Sequence, residues 1–106
     1  MPFAEAFICE TLRKSPVLPF SIPHLTMEDT KIGGFDVPAG EILIYNVYAI
    51  HHDVKTWGDP ENFRPERFLS EDGQKVIKPE AFIPFGSGKR LCPGTNNIQN
   101  KTCGFN

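Results

Sequence analysis

The amino-acid sequence predicts an α+β arrangement with little regular structure: one N-terminal helix, a small antiparallel sheet, a long ordered meander and a closing cysteine loop. Three observations carry that expectation. Apolar residues recur with helical period up to Lys14. Short β-prone pieces flank Gly33-Gly34 and Pro38-Ala39-Gly40. Ten prolines and nine glycines in 106 residues exceed average usage, which favours short elements on long connections.

The first element spans Pro2 to Lys14, where Ala4, Ile8 and Leu12 fall at i, i+4 and i+8 with Phe3 and Phe7 beside them, forming one apolar helical face. Pro16 ends it, because the residue before a proline is pushed out of the helical region. Pro16, Pro19 and Pro23 keep Ser15 to Leu25 extended, with at most an edge strand around Phe20 to His24. Lys31-Ile32 and Phe35-Asp36-Val37 pair across Gly33-Gly34, and a turn at Pro38-Ala39-Gly40 leads into a strand over Ile42 to Tyr45. Val47 to Val54 reads as one short helix. From Gly58-Asp59-Pro60 onward the chain shows no clear period, so the meander is loop-like until Phe82-Ile83-Pro84-Phe85 enters the glycine-punctuated run Gly86 to Gly94.

Composition narrows the function classes. With 40% hydrophobic and 23% charged residues the chain is of globular rather than disordered type, yet 106 residues leave room for one small and marginal core. Net charge is −2, and the basic residues are scattered, so nucleic acid is not expected as a partner. No run approaches the ~20 apolar residues of a membrane span, and no secretion signal opens the sequence, so no membrane anchor is expected in this chain. Cys9, Cys92 and Cys103 form an odd set without CxxC spacing, against both a disulfide framework and a common zinc module. His24, His51 and His52 do not complete a zinc set either. Asn100-Lys101-Thr102 matches a glycosylation acceptor, but without a secretion signal it carries no weight.

Chemistry concentrates in the last third. Gly86, Gly88 and Gly94 permit left-handed or close-approach backbone around Cys92, and Arg90 stands two residues before that thiol. A thiolate ligand with a nearby cation suits an anionic cofactor. A lone cysteine beside a tight turn is more often a buried structural residue. Gly86-Ser87-Gly88-Lys89 imitates the end of a phosphate-binding loop, but Arg90 replaces the required Ser or Thr and Ile83 replaces the first glycine. On the helix, Glu10 and Arg13 share a face at i, i+3, ordinarily a solvated pair contributing a few tenths of a kcal/mol. Arg67, on the stiff stretch Pro65-Glu66-Arg67-Phe68, supplies a second guanidinium, and a buried carboxylate between two arginines would fix the meander.

Taken in order, Glu10-x-x-Arg13, Pro65-Glu66-Arg67-Phe68 and Phe85-x-x-Gly88-x-Arg90-x-Cys92-x-Gly94 resemble the three signatures of the cytochrome P450 family, with Ile22-Pro23-His24 and Trp57-Gly58-Asp59-Pro60 between them as in microsomal members. The resemblance covers about Phe3 to Gly94. It implies a portion of the mainly-α cytochrome P450 fold, with residues 1–94 as the C-terminal haem-binding part and 95–106 as a divergent polar tail. It implies haem b (iron protoporphyrin IX) as cofactor, Cys92 as proximal ligand to the iron, Arg90 and His24 as partners of the propionates, and Phe85 packed near the loop and haem. Gly86 and Gly88 shape that loop beneath the ring, and Glu10, Arg13 and Arg67 form a structural triad. No catalytic residue is assigned within the chain.

By the same resemblance the parent activity is insertion of one oxygen atom from O2 into a small apolar organic substrate, with NADPH-cytochrome reductase as partner and the endoplasmic reticulum membrane as location. The family's long central helix, its oxygen-activating acid and alcohol and its membrane anchor find no match here. After Gly94 the family continues into an apolar helix, whereas Thr95-Asn96-Asn97-Ile98-Gln99-Asn100 offers weak helix formers. The expectation is a truncated or mis-spliced product. An apolar helix encoded after Gly94 beyond an intron boundary would support it, and a contiguous transcript ending at Asn106 would weaken it. The alternative function is that of a non-catalytic remnant or interaction fragment.

Overall fold

The computed structural model describes residues 1–94; the tail expected over 95–106 lies outside the described residues. Helix α1 spans Pro2–Lys14, with proline in the first helical positions, where a missing N–H is tolerated, and Arg13 and Lys14 in its last turn. Ser15 leaves the helical region and closes it with an N–H to Thr11 O contact of 2.9 Å.

Four short strands follow: β1 (His24–Leu25), β2 (Thr30–Ile32), β3 (Phe35–Val37) and β4 (Ile42–Leu43). They form two two-stranded antiparallel sheets, β1–β4 and β2–β3, instead of one sheet. In the β2–β3 hairpin Ile32 faces Phe35 across Gly33 (φ +56°) and Gly34 (φ +85°), the double positive φ of a type I′ turn. The strand expected to run through Tyr45 stops at Leu43, because Pro23 has no N–H for the ladder. Beyond that gap Ser21 takes over: its N–H donates to Tyr45 O at 3.0 Å and its hydroxyl accepts from Tyr45 N at 2.9 Å. Phe20 keeps only an isolated bridge to Asn46. Thr26 joins the two sheets, donating its hydroxyl to Pro38 O at 2.7 Å and accepting from Glu41 N at 2.9 Å.

Val47 to Val54 does not make one helix. Helix α2 covers Val47–His51 and α3 covers Val54–Trp57, because Asp53 breaks the run with extended φ/ψ and caps α3 by accepting from Thr56 N at 3.2 Å. Gly58, at φ +78°, ends α3. Two 3₁₀ turns, Pro65–Phe68 and Gly88–Arg90, punctuate the meander and the cysteine loop.

The core lies between α1 and the meander, where Ala6, Cys9, Trp57, Phe68 and Phe82 pack together with Ile8, Leu12, Leu69, Val76 and Ala81 at the margin. Trp57, Phe68 and Phe82 make a chain of tilted and edge-on rings, 5.9 and 4.9 Å between successive centroids. The fully buried face of α1 is therefore Ala6, Cys9, Glu10 and Arg13, not the apolar face of the sequence pattern. Phe3 and Phe7 are about half exposed, and Phe7 meets the edge of Phe63 at 5.2 Å. The helix rotates this way because its two buried charged residues, Glu10 and Arg13, find their partners on the meander.

Candidate functional site

The site has two parts, a buried ion network and the cysteine loop. Glu10 and Arg13 are fully buried, and Arg67 is 6% exposed. Arg13 grips the Glu10 carboxylate with two forked contacts, Nε to Oε2 at 2.8 Å and Nη2 to Oε1 at 2.7 Å. Arg67 Nε approaches the same carboxylate at 3.1 Å, and the backbone N–H of Arg64 donates to Oε1 at 2.9 Å. Burial raises the carboxyl pKa, but the Arg13 bond, the Arg64 N–H and the charges of Arg13 and Arg67 outweigh it and hold Glu10 below its ordinary value of 4.5.

The remaining guanidinium donors are directed to backbone. Arg13 donates to His51 O at 2.7 Å and Pro60 O at 2.9 Å, and Arg67 to Trp57 O at 2.9 Å and Asn62 O at 3.1 Å. Both guanidinium carbons lie over the Trp57 ring, at 5.3 and 6.0 Å. Trp57 is held in turn by its Nε1–H, which donates to Ile50 O at 2.9 Å. Four short carbonyl contacts thus fix α2, α3 and the meander to the one carboxylate on α1. Asp59 extends the network, accepting from Arg64 at 2.6 Å and from Arg67 at 3.3 Å.

His51 forms the bridge to the second part. Its ring is fully buried, stacked on Phe82 at 5.6 Å and edge-on to Trp57 at 6.3 Å, and its Nε2 accepts the Ile83 N–H at 3.0 Å. Burial pushes its pKa down to about 4, with the Arg13 and His52 charges adding to the effect. From Ile83 the chain turns into the loop: Gly86 N–H donates to Ile83 O at 3.1 Å, and Cys92 N–H returns to Phe85 O at 3.0 Å.

Cys92 is exposed on this loop, as are Arg90 and Gly88, while Phe85 is half-buried. Gly86 has φ +86°, and a Cβ there would come within 2.9 Å of the Tyr45 hydroxyl, so the loop is seated directly on Tyr45. Tyr45 stacks on half-buried His24, 5.9 Å between centroids. That stack brings His24 to the loop's side of the β1–β4 sheet. Gly88 is also at positive φ, +72°, and a Cβ at Gly94 would lie 3.9 Å from the Cys92 sulfur. Among the described residues no cluster of three or more metal-ligating side chains occurs.

The structure brings Glu10, Arg13 and Arg67 into one cluster and groups Phe85, Gly86, Gly88, Arg90 and Cys92 on one loop beside Tyr45 and His24. Sequence reasoning missed His51, Trp57 and Asp59 as parts of the network. Trp57 and Asp59 stand in a quoted motif ten and eight positions before Arg67, which was a usable signal; His51 carried none beyond being one of a histidine pair.

Among the described residues the ion-locked meander leads into a loop that carries one exposed thiol, Cys92. The comparisons give the chain's lineage. A family model described as Cytochrome P450 matches residues 1–96. Cytochrome P450 2U1 of Bos taurus is 50% identical over 94 residues, 89% of this chain and 17% of that protein. The steroid 17-alpha-hydroxylase/17,20 lyase of Gallus gallus is 45% identical over 95 residues, 89% of this chain and 19% of that protein. A solved zebra fish cytochrome P450 with abiraterone superposes with TM-score 0.80 at 45% identity, over 92% of this chain and 22% of its own. The chain belongs to the cytochrome P450 family, whose members are haem-thiolate monooxygenases, and its fold is a portion of theirs. It spans less than a quarter of the length of these relatives. Among the described residues no helix is long and apolar enough to cross a membrane.

Proposed function

We propose that the Cys92 loop binds haem b through the cysteine thiolate and that residues 1–94 serve as the C-terminal haem-binding part of a monooxygenase. The observation that carries this is the exposed thiol on a loop closed by the Cys92 N–H to Phe85 O bond and seated through Gly86 on Tyr45. The donor chemistry fits the group: one soft anionic ligand, with Arg90 and His24 as cationic or donor side chains for two propionates and Phe85 for an apolar ring. In this reading Gly86 and Gly88 keep the loop flat enough for close approach, because neither position tolerates a side chain at positive φ without strain. Glu10, Arg13 and Arg67 hold the meander in register and do not touch the reacting atoms.

When bound, haem supplies O2 activation, favoured by electron density from the thiolate. The parent reaction is insertion of one oxygen atom into a small apolar organic substrate, with electrons from NADPH-cytochrome reductase and with the complete protein at the endoplasmic reticulum membrane. The test is titration of the chain with haem, then dithionite and carbon monoxide, for the wild type and Cys92→Ala. A red-shifted carbonyl Soret band that is lost in Cys92→Ala is the expected result; the same band in both proteins would sink the assignment.

A second reading is a non-catalytic interaction fragment. It is favoured by the number of large apolar side chains left open, including Ile22 at 66%, Leu25 at 59% and Ile42 at 65% exposure around the β1–β4 sheet. Absence of saturable haem binding in the same titration would select it.

A further inference from the structure

We propose that His51 is a positioning residue for the cysteine loop, coupling the buried Glu10–Arg13 pair to the segment that carries Cys92. The geometry is a continuous relay of short contacts. Arg13 donates to the His51 carbonyl at 2.7 Å, the His51 ring accepts from Ile83 N at 3.0 Å, Ile83 O accepts from Gly86 N at 3.1 Å, and Phe85 O accepts from Cys92 N at 3.0 Å. One residue thus binds the ion network through its backbone and the base of the loop through its side chain. The phenyl ring next in sequence to Ile83, Phe82, stacks on the same imidazole, so the loop's entry is held in both direction and depth.

The tautomer shows why a histidine stands there. Because the Ile83 N–H points at Nε2, that nitrogen is the acceptor and the neutral ring carries its proton on Nδ1. Nδ1 is buried and, among the described residues, has no hydrogen-bond partner. Leaving a buried N–H unpaired is unfavourable, and a purely apolar ring would avoid it while filling the same space between Trp57 and Phe82. What the apolar ring cannot do is accept the Ile83 N–H. The unpaired Nδ1 is therefore the consequence of placing an acceptor at Nε2, and that acceptor's recipient is the loop.

The functional consequence rests on the reading of Cys92 as the haem thiolate; the positioning itself is testable without haem. The experiment compares His51→Gln, which keeps an acceptor, with His51→Met, of similar length and without one, by amide hydrogen exchange on the full 106-residue chain. The Cys92 and Gly86 amides are expected to exchange about tenfold faster in His51→Met than in His51→Gln, the scale of one lost buried acceptor, with α1 amides equal in the two. A loss of stability shared by both variants leaves that ratio unaffected. Equal loop protection in the pair, or a difference spread evenly over α1, overturns the proposal. Haem and carbon monoxide added to the same pair give the second readout: a smaller red-shifted fraction in His51→Met at equal haem loading. If wild type gives no such band, the thiolate reading fails while the exchange ratio still decides the role of His51.

Discussion

The two halves of this site are held by opposite means. On the helix side, fully buried Glu10 and Arg13 and nearly buried Arg67 are locked by forked contacts of 2.7 to 3.2 Å, with backbone carbonyls taking the spare donors. On the cysteine side, Arg90, Leu91 and Cys92 are exposed, and the loop rests on a few backbone contacts and one glycine seated on Tyr45. The difference separates stability from chemistry. Charge is buried where it fixes geometry, and the proposed haem ligand, Cys92, is presented where little packing binds it. The comparison makes a quantitative demand: perturbing the first half should unfold the chain, and perturbing the second should change the loop alone.

The severest test of that demand is Glu10→Gln. A neutral amide leaves the buried Arg13 guanidinium without its counter-charge and Arg67 with Asp59 alone, which costs about 3–5 kcal/mol. Urea denaturation followed by the α1 helical signal should show the midpoint collapse. A loss under about 1 kcal/mol would mean the network is relaxed and solvated, and the contrast between the halves would disappear.

Acid should attack the same half through two groups. The folded-state pKa of His51, pushed down to about 4, lies below its ordinary value of 6.5, so the unfolded chain binds more protons between those limits. Stability from His51 is complete above pH 6.5 and is lost as pH falls toward 4, by at most about 3–4 kcal/mol at ~1.4 kcal/mol per pH unit. Glu10, also depressed, extends the loss below its ordinary 4.5, since its contribution is present above that pH and disappears as the folded carboxyl protonates. Urea midpoints measured from pH 7 downward should fall throughout. In His51→Gln the fall between pH 6.5 and 4.5 should flatten, and an unchanged slope there would remove His51 from the account.

Much of this architecture is legible in sequence where the signal is local. Pro2 and Pro16 bound α1, and Gly33-Gly34 dictates the hairpin turn. The buried face of α1 was not legible in the apolar pattern, and the burial of Glu10 and Arg13 was signalled only by the second arginine, Arg67, and by the family resemblance of their motifs. Their partners lie far along the chain: Arg13 reaches His51 across 38 positions, and Glu10 is met by Arg67 across 57. Asp53 shows a subtler failure, since a capping aspartate inside a weak apolar period splits one expected helix into α2 and α3. At the loop, the glycines and Cys92 are readable as motif, whereas the seat of Gly86 on Tyr45 and the hold of His51 on Ile83 exist only once the chain is folded.

The mildest global effect, and the sharpest local one, belongs to Gly86→Ala. The φ of +86° disfavours any side chain, and the new Cβ would stand 2.9 Å from the Tyr45 hydroxyl, where the ring must shift or the loop must lift. Together these should cost about 1–2 kcal/mol, well below the Glu10 effect, because no buried charge is exposed. The two causes can be separated. Tyr45→Phe removes the oxygen and leaves the φ strain, so the Gly86→Ala/Tyr45→Phe pair should recover part of the loss in a double-mutant cycle. The recovery should be seen in Cys92 amide protection more than in the urea midpoint. Full additivity of the two changes would place Tyr45 away from the loop and leave the cysteine half without its seat.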